Sequence, residues 1–298
     1  MGEFGVEGRF IYNVIMENGN KICITWKLLL TLVILLIVLT VFLSIYSTIS
    51  THKNVITSRA ETLNIIGGRN AKEGEFPFVA LLNNGCTGVL IDPEWVLTAG
   101  HCVQPRDMYQ FVAVNTIHRK SSTNKFIEFK PFVHEEYGAP GINDLALLRL
   151  QEKVLDVEPA LLPIPGNSKD ERDDLSALYM SGTNNTLVGW GCVKIFSDGF
   201  EKYSDILQVI TLPIILSDVD GDGKKISYGY GDRTSTCNGD SGGPVLGGIN
   251  NPNVVLGINI YRKANEGTTA TSVKYYLPWI ERIMKTMSQR TREKLVPP

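Results

Sequence analysis

Ser241 sits in the stretch from Cys237 to Pro244, which reads C-N-G-D-S-G-G-P. A serine hydroxyl is a weak nucleophile near neutral pH; it needs a base and a place for the oxyanion it creates. Glycines lack a Cβ, so they let backbone N–H groups turn toward one point and form that place. A glycine-rich turn alone is ordinary turn chemistry, so the reading depends on a base elsewhere in the chain. His101 lies in L-T-A-G-H-C, directly after the strand-like run Trp95–Leu97. Asp144 lies in N-D-L-A-L-L, at the mouth of another apolar run. Serine, histidine and aspartate together suit acyl transfer: the imidazole takes the hydroxyl proton and the carboxylate holds the imidazole.

The order His, Asp, Ser, with Ile65-Ile66-Gly67-Gly68 and Gly189-Trp190-Gly191, resembles the trypsin/chymotrypsin family of serine proteases. The resemblance runs from Ile65 to about Arg282. It implies an all-β fold of two antiparallel six-stranded barrels with a C-terminal helix. His101 and Asp144 would come from the first barrel and Ser241 from the second. It also implies a serine endopeptidase acting on protein or peptide substrates, with no metal or organic cofactor. His101, Asp144 and Ser241 would be catalytic, and the N–H groups of Gly239 and Ser241 would form the oxyanion hole. The rival reading is a protease-like binding or regulatory protein without activity.

In that family a zymogen is cut just ahead of the first isoleucine, here Ile65, and the new ammonium pairs with the aspartate before the serine, here Asp240. A buried carboxylate needs such a partner, so the cut acts as a switch. The family usually carries Arg or Lys before the cut. This chain has Asn64, so the activating protease is expected to cut after Asn64. The position that selects Arg or Lys in trypsin-like relatives carries Ser235 here. A cationic side chain would enter that pocket unpaired, and no preference for Arg or Lys is expected. Thr268 is placed on one pocket wall, with Tyr261 and Arg262 near the other. This predicts a smaller pocket, with a preference for an acidic residue through Arg262 as the alternative.

Five cysteines are present. The resemblance pairs Cys86 with Cys102. The usual partner of Cys237 is absent, so Cys192 and Cys237, which border the primary pocket in the family fold, are expected to form the second bridge.

These residues need elements to hold them. Short apolar runs broken by turn residues follow one another from Phe76 onward: Phe78–Leu82, Gly88–Ile91, Tyr109–Val114, Phe126–Val133, Ala146–Leu150, Thr186–Trp190, Ile206–Leu212 and Val254–Tyr261. Such spacing predicts barrels or sandwiches. Pro278 and the apolar residues after it predict a closing helix, with proline in its first turn.

Ahead of the protease-like region, Leu28 to Ile45 carries no charge and is long enough to cross a bilayer as a helix. The expected layout is a cytosolic tail (1–27), a transmembrane helix (28–46), a polar and flexible stem or propeptide (47–64), and the protease domain (65–298). Basic residues are nearly balanced across the span, so the type II, signal-anchor orientation rests on the family working outside the cytosol. The stem has no cysteine, so a cut ahead of Ile65 would also release the domain. The formal charge is −2 with mixed signs along the chain, which gives no reason to expect a nucleic-acid partner. Asn184 heads the one glycosylation sequon, N-N-T. Asp218 to Gly223 resembles half a calcium loop but lacks its twelfth-position glutamate, and it reads as a solvated turn.

Overall fold

The computed structural model describes residues 14–17, 20–23, 26–59, 68–103, 110–139, 141–163, 178–195, 198–216, 221–229, 236–247, 253–263 and 267–295. Asn64, Ile65 and Ser235 lie outside the described residues. The chain divides into two units, residues 1–61 and 62–298.

The first unit adds a hairpin and changes one expectation, that of a flexible stem. Its tail holds a hairpin, β1 (Val14–Glu17) against β2 (Asn20–Cys23). Asn18-Gly19 between the strands is a strong hairpin dipeptide, flanked by residues of good β-propensity. The apolar span begins helix α1 (Trp26–Arg59), which continues through most of the stretch expected to be a flexible stem. Residues 47–59 contain no Gly or Pro to stop a helix. The window Leu30–Ser47 has a mean hydropathy of 2.6 and none of it is buried. A helix apolar all round, with its side chains facing outward, is long enough to cross a membrane.

The second unit holds both barrels. The first is closed by six antiparallel strands: β4 (Val79–Leu82), β5 (Thr87–Asp92), β6 (Trp95–Thr98), β7 (Phe111–Ala113), β8 (Ile127–Val133) and β9 (Ala146–Leu150), in the order β4-β5-β6-β9-β8-β7. β8 begins with the alternation of a half-buried strand, with Ile127 and Phe129 inward and Glu128 and Lys130 outward. β6, between β5 and β9, is buried along its whole length. Its register, Leu97 opposite both Val89 and Leu147, fixes where the residues after Thr98 emerge.

The second barrel uses β10 (Asn184–Gly189), β13 (Gln208–Leu216), β14 (Lys225–Tyr228), β15 (Pro244–Leu246), β16 (Val255–Lys263) and β17 (Gly267–Ser272). It closes through β10 against β13, while the short β3 (Arg69–Asn70) lies on the other edge of β13. A side hairpin pairs β11 (Cys192–Ile195) with β12 (Glu201–Tyr203). β17 reads G-T-T-A-T-S and is buried throughout; a strand buried on both faces usually shows as an apolar run, and these threonines and small residues supply none. Helix α2 (Val273–Leu295) starts five residues before Pro278 rather than at it. Proline inside a helix removes one ladder hydrogen bond. Burial of Tyr276, Leu277, Trp279 and Ile280 on either side offsets that loss.

Candidate active site

His101 sits in a single 3-10 turn, Gly100–Val103, immediately beyond β6. Its ring Nδ1 lies 2.8 Å from Asp144 Oδ2, and its backbone N–H donates to Asp144 Oδ1 at 2.9 Å. One carboxylate therefore fixes both the backbone and the ring of the histidine. The Asp144 side chain is fully buried, while that of His101 keeps 23% of its surface exposed. A buried carboxylate needs its lone pairs filled. The third donor to Asp144 is the backbone N–H of Gly141, at 3.0 Å to Oδ2.

The second barrel and the closing helix hold this loop as well. Thr271 of β17 donates to the Asp144 carbonyl at 3.0 Å, and Tyr276 of α2 donates to Asn143 Oδ1 at 2.7 Å.

Ser241 is positioned through threonines that the sequence motifs did not single out. The Thr87 N–H donates to the Ser241 carbonyl at 2.9 Å, and its hydroxyl donates to the Gly239 carbonyl at 2.9 Å. Thr98 in turn donates to the Thr87 carbonyl at 2.8 Å. Thr98 is three residues ahead of His101, so these contacts tie the serine loop to the strand that launches the histidine. Among the described residues no hydrogen bond joins Ser241 to His101; the serine Oγ lies 3.5 Å from the Ile260 carbonyl. Catalytic contacts in unliganded sites commonly tighten only with substrate. Gly239 has φ +94° and Gly242 φ +80°, in the region where a side chain is strained. Among the described residues the N–H groups of Gly239 and Ser241 donate to nothing, while the neighbouring N–H groups of Asp240, Gly242 and Gly243 are all engaged.

Asp240 turns inward. Its carboxylate accepts N–H bonds from Gly191 and Cys237, each at 2.8 Å. Burial pushes its carboxyl up to about 7, against the pull of those two bonds. The two donors stand beside the bridge Cys192–Cys237, whose Cα atoms are 5.3 Å apart. The other bridge, Cys86–Cys102, spans 6.0 Å between Cα atoms and braces the turn carrying His101. Among the described residues two groupings have the spacing of metal ligands, Cys86-His101-Cys102 and Cys192-Glu201-Cys237. In both, the cysteines are consumed in a bridge and offer no thiolate.

Of the pocket residues, Thr268 is fully buried and its hydroxyl meets that of Thr236 at 2.8 Å. Thr236 is the neighbour of Ser235. Tyr261 packs over Gly141, and Arg262 stands opposite Thr268 in the β16–β17 register. Asn184 is exposed at the start of β10. Asp222 pairs with Lys224 at 3.0 Å on the surface, as suits a solvated turn. His134 lies half-buried against Tyr276 and Trp279.

Comparison with known proteins accords with this geometry. The trypsin family profile matches residues 65–280. Brachyurin of Leptuca pugilator is 32% identical over 237 residues, covering 73% of this chain and 97% of that protein. Trypsin II-P29 of Gallus gallus is 31% identical over 244 residues, covering 74% and 90%. Vitamin K-dependent protein C of Oryctolagus cuniculus is 27% identical over 243 residues, covering 72% of this chain. The chain spans about half the length of that last relative, 51%. The chain belongs to the trypsin family of serine proteases.

The buried state of Asp240 has a consequence for stability. Its folded value of about 7 lies above the ordinary 3.8, so the folded form binds the proton more tightly than the unfolded chain. That contribution is complete below about pH 4 and is lost as pH rises toward 7. A shift of about three units corresponds to roughly 4 kcal/mol. Denaturant midpoints of the full chain are expected to fall between pH 4.5 and 7.5, and the fall is expected to shrink markedly in Asp240→Asn.

Proposed function

We propose that this protein is a serine endopeptidase in which Ser241 attacks the peptide carbonyl, His101 carries the proton and Asp144 holds the imidazole. His101 takes the Ser241 proton through Nε2 and later gives it to the leaving amine. Asp144, bonded to Nδ1, fixes the tautomer and stabilises the imidazolium. The N–H groups of Gly239 and Ser241 receive the oxyanion, each donor contributing about 3–4 kcal/mol in the transition state. The observation carrying this reading is the His101–Asp144 pair, held at two points in a buried site and tied through Thr98 and Thr87 to the serine loop.

The activating cut falls between Asn64 and Ile65, and the ammonium of Ile65 pairs with Asp240. Residues 28–46 anchor the chain in a membrane, with 1–27 cytosolic and 65–298 outside the cytosol. Residues 47–64 then form the stem, so the cut frees a soluble protease. One experiment covers activity and release: the full chain, expressed in cells and cut ahead of Ile65, is fractionated and labelled with a fluorophosphonate. Labelling in the soluble fraction that disappears in Ser241→Ala supports both. Labelling confined to the membrane in high salt overturns release, and no labelling of the cut protein overturns the enzyme.

Primary specificity follows from the pocket. Ser235 offers no carboxylate, and the hydroxyl bond between Thr236 and Thr268 spends two polar groups inside a buried region. A guanidinium or ammonium there would be desolvated without a counter-charge, at a cost of several kcal/mol. A peptide library is expected to show small uncharged residues ahead of the cut bond, with Arg and Lys about 100-fold or more lower. A profile dominated by Arg and Lys overturns this reading, and one dominated by Asp and Glu assigns the pocket to Arg262.

A further inference from the structure

The Gly239 N–H must point the right way to meet an oxyanion. Gly239 has φ +94°, and a glycine leaves the peptide ahead of it free to turn over. The hairpin β11–β12 holds that peptide. The Cys192 N–H donates to the Asn238 carbonyl at 3.0 Å. In a planar trans peptide the C=O and the N–H point in opposite directions. This bond therefore aims the Gly239 N–H away from Cys192, and among the described residues that N–H donates to nothing.

Side chains of β12 secure the same two residues. Both oxygens of the Glu201 carboxylate accept from Asn238 Nδ2, at 2.8 and 2.9 Å. Glu201 Oε2 also accepts from the Tyr203 hydroxyl at 2.9 Å. The Tyr203 ring lies against Gly239, where a Cβ would stand 3.2 Å from its Cδ1. The Arg119 guanidinium lies over the same ring, its carbon 5.0 Å from the centroid. The base of the hairpin is tied to the serine loop by the bridge Cys192–Cys237, and the Ser204 N–H donates to the Gly191 carbonyl at 3.2 Å. Hydrogen bonds to a carboxylate are about twice as strong as neutral ones. Glu201 gives them to the residue ahead of Gly239 and to the ring that backs Gly239.

We propose that Glu201 and Tyr203 are positioning residues for the oxyanion hole: they hold the Asn238–Gly239 peptide in the orientation that presents the Gly239 N–H. This rests on the reading of Gly239 as an oxyanion donor. Neither side chain touches the reacting atoms in this account; each acts through the peptide it holds.

The test uses the full chain, cut ahead of Ile65 through a protease site placed in residues 60–64. Glu201→Ala is expected to lower kcat about tenfold, the loss that one or two charge-assisted hydrogen bonds would cause, with KM and the melting temperature close to the parent's. A peptide aldehyde is the second probe, since it adds to the Ser241 hydroxyl and places a hemiacetal oxygen in the hole. Its affinity should fall by the same factor as kcat. Glu201→Gln keeps an acceptor for Asn238 without the charge, and should stay within about twofold of the parent. Tyr203→Phe keeps the ring and loses the bond to Glu201, so about a threefold loss of kcat is expected; it serves if the alanine variant fails to fold. In Glu201→Ala with Asn238→Ala the losses should not multiply, because both remove one bond. Unmoved kcat and aldehyde affinity in Glu201→Ala overturn the proposal. A changed KM or cleavage profile at unchanged kcat also overturns it, by assigning Glu201 to substrate. So does a fall in melting temperature with no rescue by glutamine, which assigns it to the fold alone. A cut parent that cleaves no peptide and binds no aldehyde overturns the protease reading, and the positioning role falls with it; an active parent beside an unmoved Glu201→Ala overturns the positioning role alone.

Discussion

Ser241→Ala and His101→Ala, each made in the cut protein, are expected to lower kcat by about 10⁶-fold, and the double variant by no more than either alone. In the mechanism we propose, the two side chains act on one proton. Without the hydroxyl there is no nucleophile, and without the imidazole the hydroxyl is not activated at neutral pH. What survives is substrate binding and the N–H groups of Gly239 and Ser241, which remain in the backbone of both variants. A residual rate about 10³–10⁴ above water is therefore expected. Asp144→Asn should fall short of these losses, at about 10⁴-fold, because it leaves the imidazole in place in the wrong tautomer. Steady-state kinetics on one peptide substrate checks all four proteins. Losses that multiply in the double variant would show that Ser241 and His101 act independently, and the triad assignment would fail.

The second large effect is on stability. Gly242→Ala is expected to destabilise the protein by about 4 kcal/mol or more. Two costs combine. Gly242 has φ +80°, where a side chain is strained by about 1–2 kcal/mol. A Cβ there would also overlap Thr98 Oγ1 and the Thr87 carbonyl oxygen, the donor and acceptor of the bond joining β6 to Thr87 of β5, which in turn holds the serine loop. Backbone cannot yield as the end of a flexible side chain can, so the loop must shift. In thermal melting the loss corresponds to roughly 10 °C at about 2–4 °C per kcal/mol. Gly182→Ala is the control. Gly182 has φ +85° but open space where a Cβ would go, so only the strain is expected. If the two variants melt together, close packing at Gly242 is not what demands glycine.

The candidate site residues stood out in the sequence because their types and order carry the information. A serine between glycines, a histidine behind a strand and an aspartate ahead of one are local patterns. So are the charge-free run from Leu28 to Ile45 and the apolar runs of the first barrel. The C-terminal limit of α1 and the β1–β2 hairpin were not read from the sequence: the polar composition of residues 47–59 outweighed their lack of helix breakers, and Asn18-Gly19 was passed over. The buried strand β17 was hidden because its threonines look like loop residues when read along the chain.

What only the tertiary structure decided is how the site is held. Thr87 meets Gly239 across 152 positions, Thr271 meets Asp144 across 127, and Tyr276 meets Asn143 across 133. No local pattern encodes such pairs, since each depends on the closure of two barrels and on strand registers that a one-residue slip would invert. The same holds for the Thr236–Thr268 bond. In the sequence these are ordinary polar residues. Burial gives them their meaning, because only away from water must every donor and acceptor find a partner.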